Sequence, residues 1–90
     1  MIFESVDDKL KALGFIKGDD SVFGFTFVRA YGKFGGIQKV IFENNTLISY
    51  DSTIPDYKGQ GFKAVGLKDD ELILFYKKIK QWRKKHEHNK

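Results

Sequence analysis

Phe3, Val6, Leu10 and Leu13 recur at spacings of three, four and three, which sets them on one face of a helix, with Glu4, Asp7, Asp8 and Lys11 away from it. Gly14 marks the helix stop, because glycine readily takes the left-handed conformation that closes a helix. Phe15 is then expected to fold back on Leu10 as a core residue. Lys17 to Ser21 reads as a turn by composition. From Val22 the period changes to two, with Phe23, Phe25 and Phe27 on one face and Gly24, Thr26 and Val28 on the other, predicting a strand that continues to Tyr31. Gly32 to Gly36 is a glycine-rich reversal, and Ile37 to Phe42 follows as a second strand.

Asn44-Asn45 predicts a two-residue hairpin, because that turn needs positive φ at both central positions and Asn tolerates it best after Gly. The turn opposes Phe42 to Leu47 and Ile41 to Ile48, making Leu47 to Asp51 a third strand with apolar pairs on both faces. The aperiodic segment 52–66 carries the single proline and reads as a long connection, with a short edge strand near Phe62 to Val65. A helical period returns from Leu67, with Leu72, Phe75, Tyr76, Ile79 and Trp82 as its stripe. Asp69, Asp70 and Glu71 suit the positive end of that helix, the lysines suit the negative end, and Leu67 against Leu72 forms a staple at its start.

The prediction is an α+β fold: N-terminal helix, a three- to four-stranded antiparallel meander, a C-terminal helix, and one layer of helices on one sheet face. Ninety residues allow one core, so residues 1–85 form a single domain and 86–90 a frayed basic tail. Nine Phe, four Tyr and one Trp supply the burial that a chain without cysteine must draw from packing. The absence of cysteine removes disulfides and thiolate chemistry and fits a cytoplasmic location, and no stretch suggests a signal peptide or a membrane span.

The net charge of +4 is unevenly placed. From Lys77 onward seven Lys or Arg stand against one acid, a local charge of +6 that leaves −2 for the rest. Lys77, Lys80, Arg83, Lys84 and Lys85 are therefore the candidate residues for nucleic acid or an acidic partner, although lysines at a helix C-terminus also complement its dipole.

The stretch Val40-Ile41-Phe42-Glu43-Asn44-Asn45-Thr46-Leu47-Ile48-Ser49-Tyr50, followed by a loop and Gly66-Leu67-Lys68-Asp69-Asp70-Glu71-Leu72, resembles small uncharacterised proteins of phages and prophages in Gram-positive bacteria. The likeness lies in hydrophobic spacing and one hairpin over about two-thirds of the chain. It implies a phage-type accessory protein of the bacterial cytoplasm and offers no catalytic residues to carry over.

Signals of catalysis are sparse. His86 and His88 stand in the charged tail, and a His-x-His pair without a third ligand is expected to be solvated, so no metal site and no cofactor are expected. Asp19, Asp20, Asp51 and Asp56 lie near predicted turns, where carboxylates bond their own backbone. Ser49 and Ser52 lack a nucleophile elbow, and neither Gly32-Lys33-Phe34-Gly35-Gly36 nor Gly59-Gln60-Gly61 has the spacing of a phosphate or dinucleotide loop. Phe23, Phe25 and Phe27 with Arg29 and Tyr31 resemble an RNA-recognition strand in their alternation. They depart from it where Ser21-Val22 replaces a basic residue and glycine, and are expected to face the helices as core.

The sequence therefore predicts a non-enzymatic binding module with a protein partner or self-association, a homodimer through the second apolar sheet face included. The alternative is a nucleic-acid binder using the basic C-terminal helix.

Overall fold

The computed structural model describes residues 5–54 and 63–87. Helix α1 (Val6–Ala12) starts at Ser5, whose hydroxyl accepts the Asp8 N–H at 3.0 Å while the Asp8 carboxylate reaches back to the Ser5 N–H, a capping box that satisfies two otherwise unpaired donors. It ends as the sequence predicts. Gly14 has φ +96°, the Phe15 N–H reaches the Leu10 carbonyl at 3.0 Å, and the Gly14 N–H reaches that of Lys11 at 2.9 Å. These two bonds are the Schellman pattern, and they drop Phe15 into the core at 1% exposure. Phe3, the expected first residue of the α1 face, lies outside the described residues.

Four strands follow as an antiparallel meander in sequence order: β1 (Ile16–Ser21), β2 (Gly24–Tyr31), β3 (Gly36–Glu43) and β4 (Thr46–Asp51). Residues 17–21, expected as a turn, are a strand. Composition hid it because the inward side chains of β1 are Lys17 and Asp20 rather than apolar residues, and because a bulge at Gly18-Asp19 breaks the period of two. Phe23 is also misplaced by simple alternation. It sits with Val22 in the tight β1–β2 turn at 78% exposure, while Phe25 and Phe27 are buried at 1% each. The turn closes through Gly24 at φ +150°, where an added Cβ would lie 1.8 Å from the Phe42 carbonyl oxygen.

The Asn44-Asn45 hairpin has φ +52° and +60° and sets Phe42 opposite Leu47 and Ile41 opposite Ile48, as the sequence predicts. Phe62, in the expected edge strand near 62–65, is outside the described residues. Lys63 to Val65 lie along β4, with the Asp51 N–H bonded to the Lys63 carbonyl at 2.8 Å, the Val65 N–H to that of Ser49 at 3.1 Å, and Ala64 bridged to Tyr50.

Both helices cover the same sheet face. Across that face the register aligns Asp20, Phe25, Phe42 and Leu47 in one row, then Lys17, Phe27, Val40 and Ser49, then Arg29, Gln38 and Asp51. Helix α2 (Asp69–Glu87) lies over these rows, and its buried positions are Glu71, Phe75, Lys78 and Ile79, with Trp82 half-buried. Phe75 meets Phe15 edge-on at 5.1 Å and Phe27 at 5.6 Å, geometries in which the ring edge points at a π face. Trp82 packs edge-on against Phe42 at 5.3 Å and donates its indole N–H to the Ser21 carbonyl at 2.7 Å, tying α2 to the end of β1.

Tyr76, assigned by periodicity to the stripe, is 54% exposed, because the buried face is centred on Phe75 and the two ionic residues flanking it. The helix also continues past the expected fray at His86, whose half-buried ring lies 5.1 Å from that of Trp82. Residues 88–90 are outside the described residues.

This orientation predicts that Phe75→Ala costs about 3–5 kcal/mol while its neighbour Tyr76→Ala changes stability by no more than about 1 kcal/mol. Urea denaturation of the two variants measures both values.

Candidate functional site

The charged side chains that α2 carries into the sheet, Glu71 and Lys78, each meet oppositely charged partners from other elements. Arg29 projects from β2 beneath the start of α2, where its guanidinium lies 4.0 Å from the centre of the Phe15 ring. It donates to Glu71, to the Gln38 amide oxygen at 2.8 and 3.2 Å, and to the Leu13 carbonyl at 3.3 Å. Gln38, with no exposed surface, passes its amide N–H to Ser49 at 2.8 Å. Glu71 also accepts the Lys68 N–H at 2.9 Å, so one carboxylate caps the helix and pairs with the arginine. The hydrogen bond from Arg29, working against burial, holds the Glu71 carboxyl below its ordinary value of 4.5.

A second cluster lies two turns along α2. Lys78, 6% exposed, reaches Asp7 of α1 at 3.0 Å and Asp20 of β1 at 3.4 Å, and Lys17 bridges the same two acids at 3.2 and 3.0 Å. Burial raises both aspartates, but the lysine hydrogen bonds and charges outweigh it and hold them below 3.8. The bond to Asp20 and then the contact with Asp7 hold Lys17 above 10.5.

At the far end of the sheet Asp51 is 4% exposed and accepts from the Thr53 hydroxyl and N–H and from the Tyr31 hydroxyl, which lowers it to about 2. It sits in the wall of a hollow of about 330 Å³ shared with Lys33, Phe34 and Lys63. Of the loop acids considered for catalysis, Asp20 and Asp51 are thus held by structural partners, Asp19 is exposed on β1, and Asp56 lies outside the described residues. Among the described residues no cluster of three His, Asp or Glu is placed to hold a metal ion, and no helix is long and apolar enough to cross a membrane.

Two further surfaces stand open among the described residues. The first is the sheet face away from the helices, where one row carries Ile16, Val28, Lys39 and Tyr50 and the next carries Thr26, Ile41 and Ile48. Ile16, Ile48 and Ile37 are 67, 51 and 40% exposed. The second is a groove of about 650 Å³ between α2 and the β3–β4 hairpin, with Phe42 and Ile79 as floor, Asn45, Thr46 and Leu47 as one wall and Tyr76, Lys80 and Arg83 as the other.

All five basic residues singled out from the sequence are exposed. The fold brings Lys80 and Arg83 together in the groove and leaves Lys77, Lys84 and Lys85 out of it. Sequence reading missed Tyr76 and the hairpin wall. The available signal was the helical angle, since Tyr76, Lys80 and Arg83 are spaced four and three apart and share a face distinct from that of Phe75. Comparison of this chain with protein-family models, with curated proteins and with solved structures finds no match.

The carboxylate pKa values fix a pH window. Stability from Asp7, Asp20, Asp51 and Glu71 is fully present above their unfolded values of 3.8 and 4.5 and is lost as pH falls through the lower folded values, to about 2 for Asp51. Lys17 and Tyr31, both raised, contribute stability that is lost as pH climbs past 10. The urea midpoint is therefore expected to be level from about pH 5 to 9 and to fall steadily below 4.5. In Glu71→Gln the midpoint at neutral pH is lower and the acid limb shallower, as a pH series of denaturation curves would record.

Proposed function

We propose that this chain is a non-catalytic binding module of the phage accessory type that recognises a protein partner through the sheet face that neither helix covers. The observation that carries the proposal is the exposure of Ile16, Ile37 and Ile48 around half-buried Val28, Ile41 and Tyr50 on a face that neither helix touches. Contiguous apolar surface of this kind on a small domain gains free energy when covered. Lys39 stands in the middle of the patch, and no carboxylate among the described residues pairs with it. The partner that fits presents an apolar strip with an acid opposite Lys39.

A second copy of the chain fits less well. A copy laid on the face with the two-fold axis along β3 would set Lys39 against Lys39. The non-catalytic part of the proposal is supported by the ionic side chains of the helix–sheet contact, Arg29 with Glu71 and Lys78 with Asp7 and Asp20, which are occupied by one another.

The protein is expected to run as a monomer in light scattering up to high micromolar concentration while binding an apolar fluorescent dye. Ile48→Lys should lower dye binding at least twofold with a thermal midpoint within a few degrees of the parent. Absence of dye binding by the parent, or dye binding unchanged in Ile48→Lys, would remove the sheet face as the docking surface.

A further inference from the structure

We propose that the groove between α2 and the β3–β4 hairpin is a binding site for single-stranded nucleic acid, with Tyr76 as the stacking platform and Lys80 and Arg83 as the phosphate contacts. The site is distinct from the sheet face and lies on the helix side of the molecule.

The floor of the groove is closed, since Phe42 is 2% and Ile79 6% exposed, and its aliphatic surface comes from half-buried Leu47 in the hairpin wall. What stands into solvent is one aromatic ring, Tyr76 at 54%, with two cations spaced four and seven residues further along the same helix face. Neither Lys80 nor Arg83 pairs with a carboxylate among the described residues. The Arg83 guanidinium lies 5.7 Å from the Phe42 ring, which draws it along the groove floor and leaves its planar fork of donors beside the channel.

An exposed π face beside unneutralised cations matches the chemistry of a splayed nucleotide, whose base stacks while its phosphate takes the charge-assisted hydrogen bonds. The opposite wall adds Asn45, an amide able to both donate and accept, and the Thr46 hydroxyl. A duplex keeps its bases stacked within and has none to lay on Tyr76, so the geometry selects single strands. The volume of about 650 Å³ lies within the range of small-ligand clefts, enough for a short stretch of chain.

The test is fluorescence anisotropy of labelled short oligo-U and oligo-dT, with a hairpin duplex and poly-glutamate as competitors, at salt concentrations of about 50 and about 200 mM. Single strands are expected to bind, with a log–log salt slope near −1.4 for two phosphate contacts. Lys80→Gln/Arg83→Gln should weaken binding about tenfold or more and flatten the slope. Tyr76→Leu, which keeps bulk and removes the π face, should weaken it about fivefold or more with the slope retained. The charge-matched control Lys77→Gln/Lys85→Gln, on exposed positions outside the groove, should lose much less. Circular dichroism confirms that each variant keeps its helix.

Equal losses in the control and groove pairs would make binding a property of the whole basic helix and overturn the site. Stronger competition by poly-glutamate than by oligo-U would assign the groove to an acidic protein, and no single-strand binding at the lower salt would also overturn the proposal.

Discussion

Everything in this fold depends on α2 holding one register over the sheet. Phe75 fills the centre of the contact, between Phe15 and Phe27, and a charged residue stands on either side of it: Glu71 toward the start of the helix, Lys78 toward its end. Glu71 finds Arg29 of β2, and Lys78 finds Asp20 of β1 and Asp7 of α1. Buried ion pairs of this kind add little net stability compared with apolar residues of the same volume, but breaking one leaves an uncompensated charge, at a cost of about 3–5 kcal/mol. A slip of α2 by one turn, about 5.4 Å, would separate both pairs at once. The apolar centre supplies the drive to pack, and the ionic flanks fix where packing occurs.

That arrangement also explains which parts of the fold were legible in the sequence. The Schellman stop at Gly14, the burial of Phe15 and the Asn44-Asn45 hairpin with its pairs were readable because each rests on a local rule acting on a few neighbouring residues. Strand β1 was not, because its inward side chains are Lys17 and Asp20, whose partner Lys78 is 58 residues from Asp20 in sequence. A period of two in hydrophobicity cannot register a strand whose buried side is ionic. The same cause misplaced Tyr76: periodicity counted apolar residues as inward and charged ones as outward, while the fold buries Glu71 and Lys78 and turns Tyr76 out. Of the five basic residues named from the sequence, the tertiary fold groups two, Lys80 and Arg83, with a hairpin wall more than thirty residues away, a juxtaposition no helical wheel contains.

Among the described residues both helices lie on one face of the sheet, and the outer face and the groove beside α2 lie on opposite sides of the molecule. The outer face is apolar with a single central lysine, whereas the groove beside α2 is cationic with a single prominent ring. Their chemistries differ enough that occupation of one need not compete with occupation of the other. The mildly acidic body and basic terminal helix fit this division, since the positive charge is concentrated where the proposed polyanion site lies.

The most direct test of one-sided coverage is NMR of isoleucine methyl groups in a dilute sample titrated with a soluble paramagnetic relaxation agent. Ile16, Ile37 and Ile48 on the outer face are expected to broaden steeply, and Ile79, the same residue type beneath α2, to remain sharp. Protection of the outer isoleucines equal to that of Ile79 in a monomeric sample would contradict the account, because it would mean that the second face is already covered.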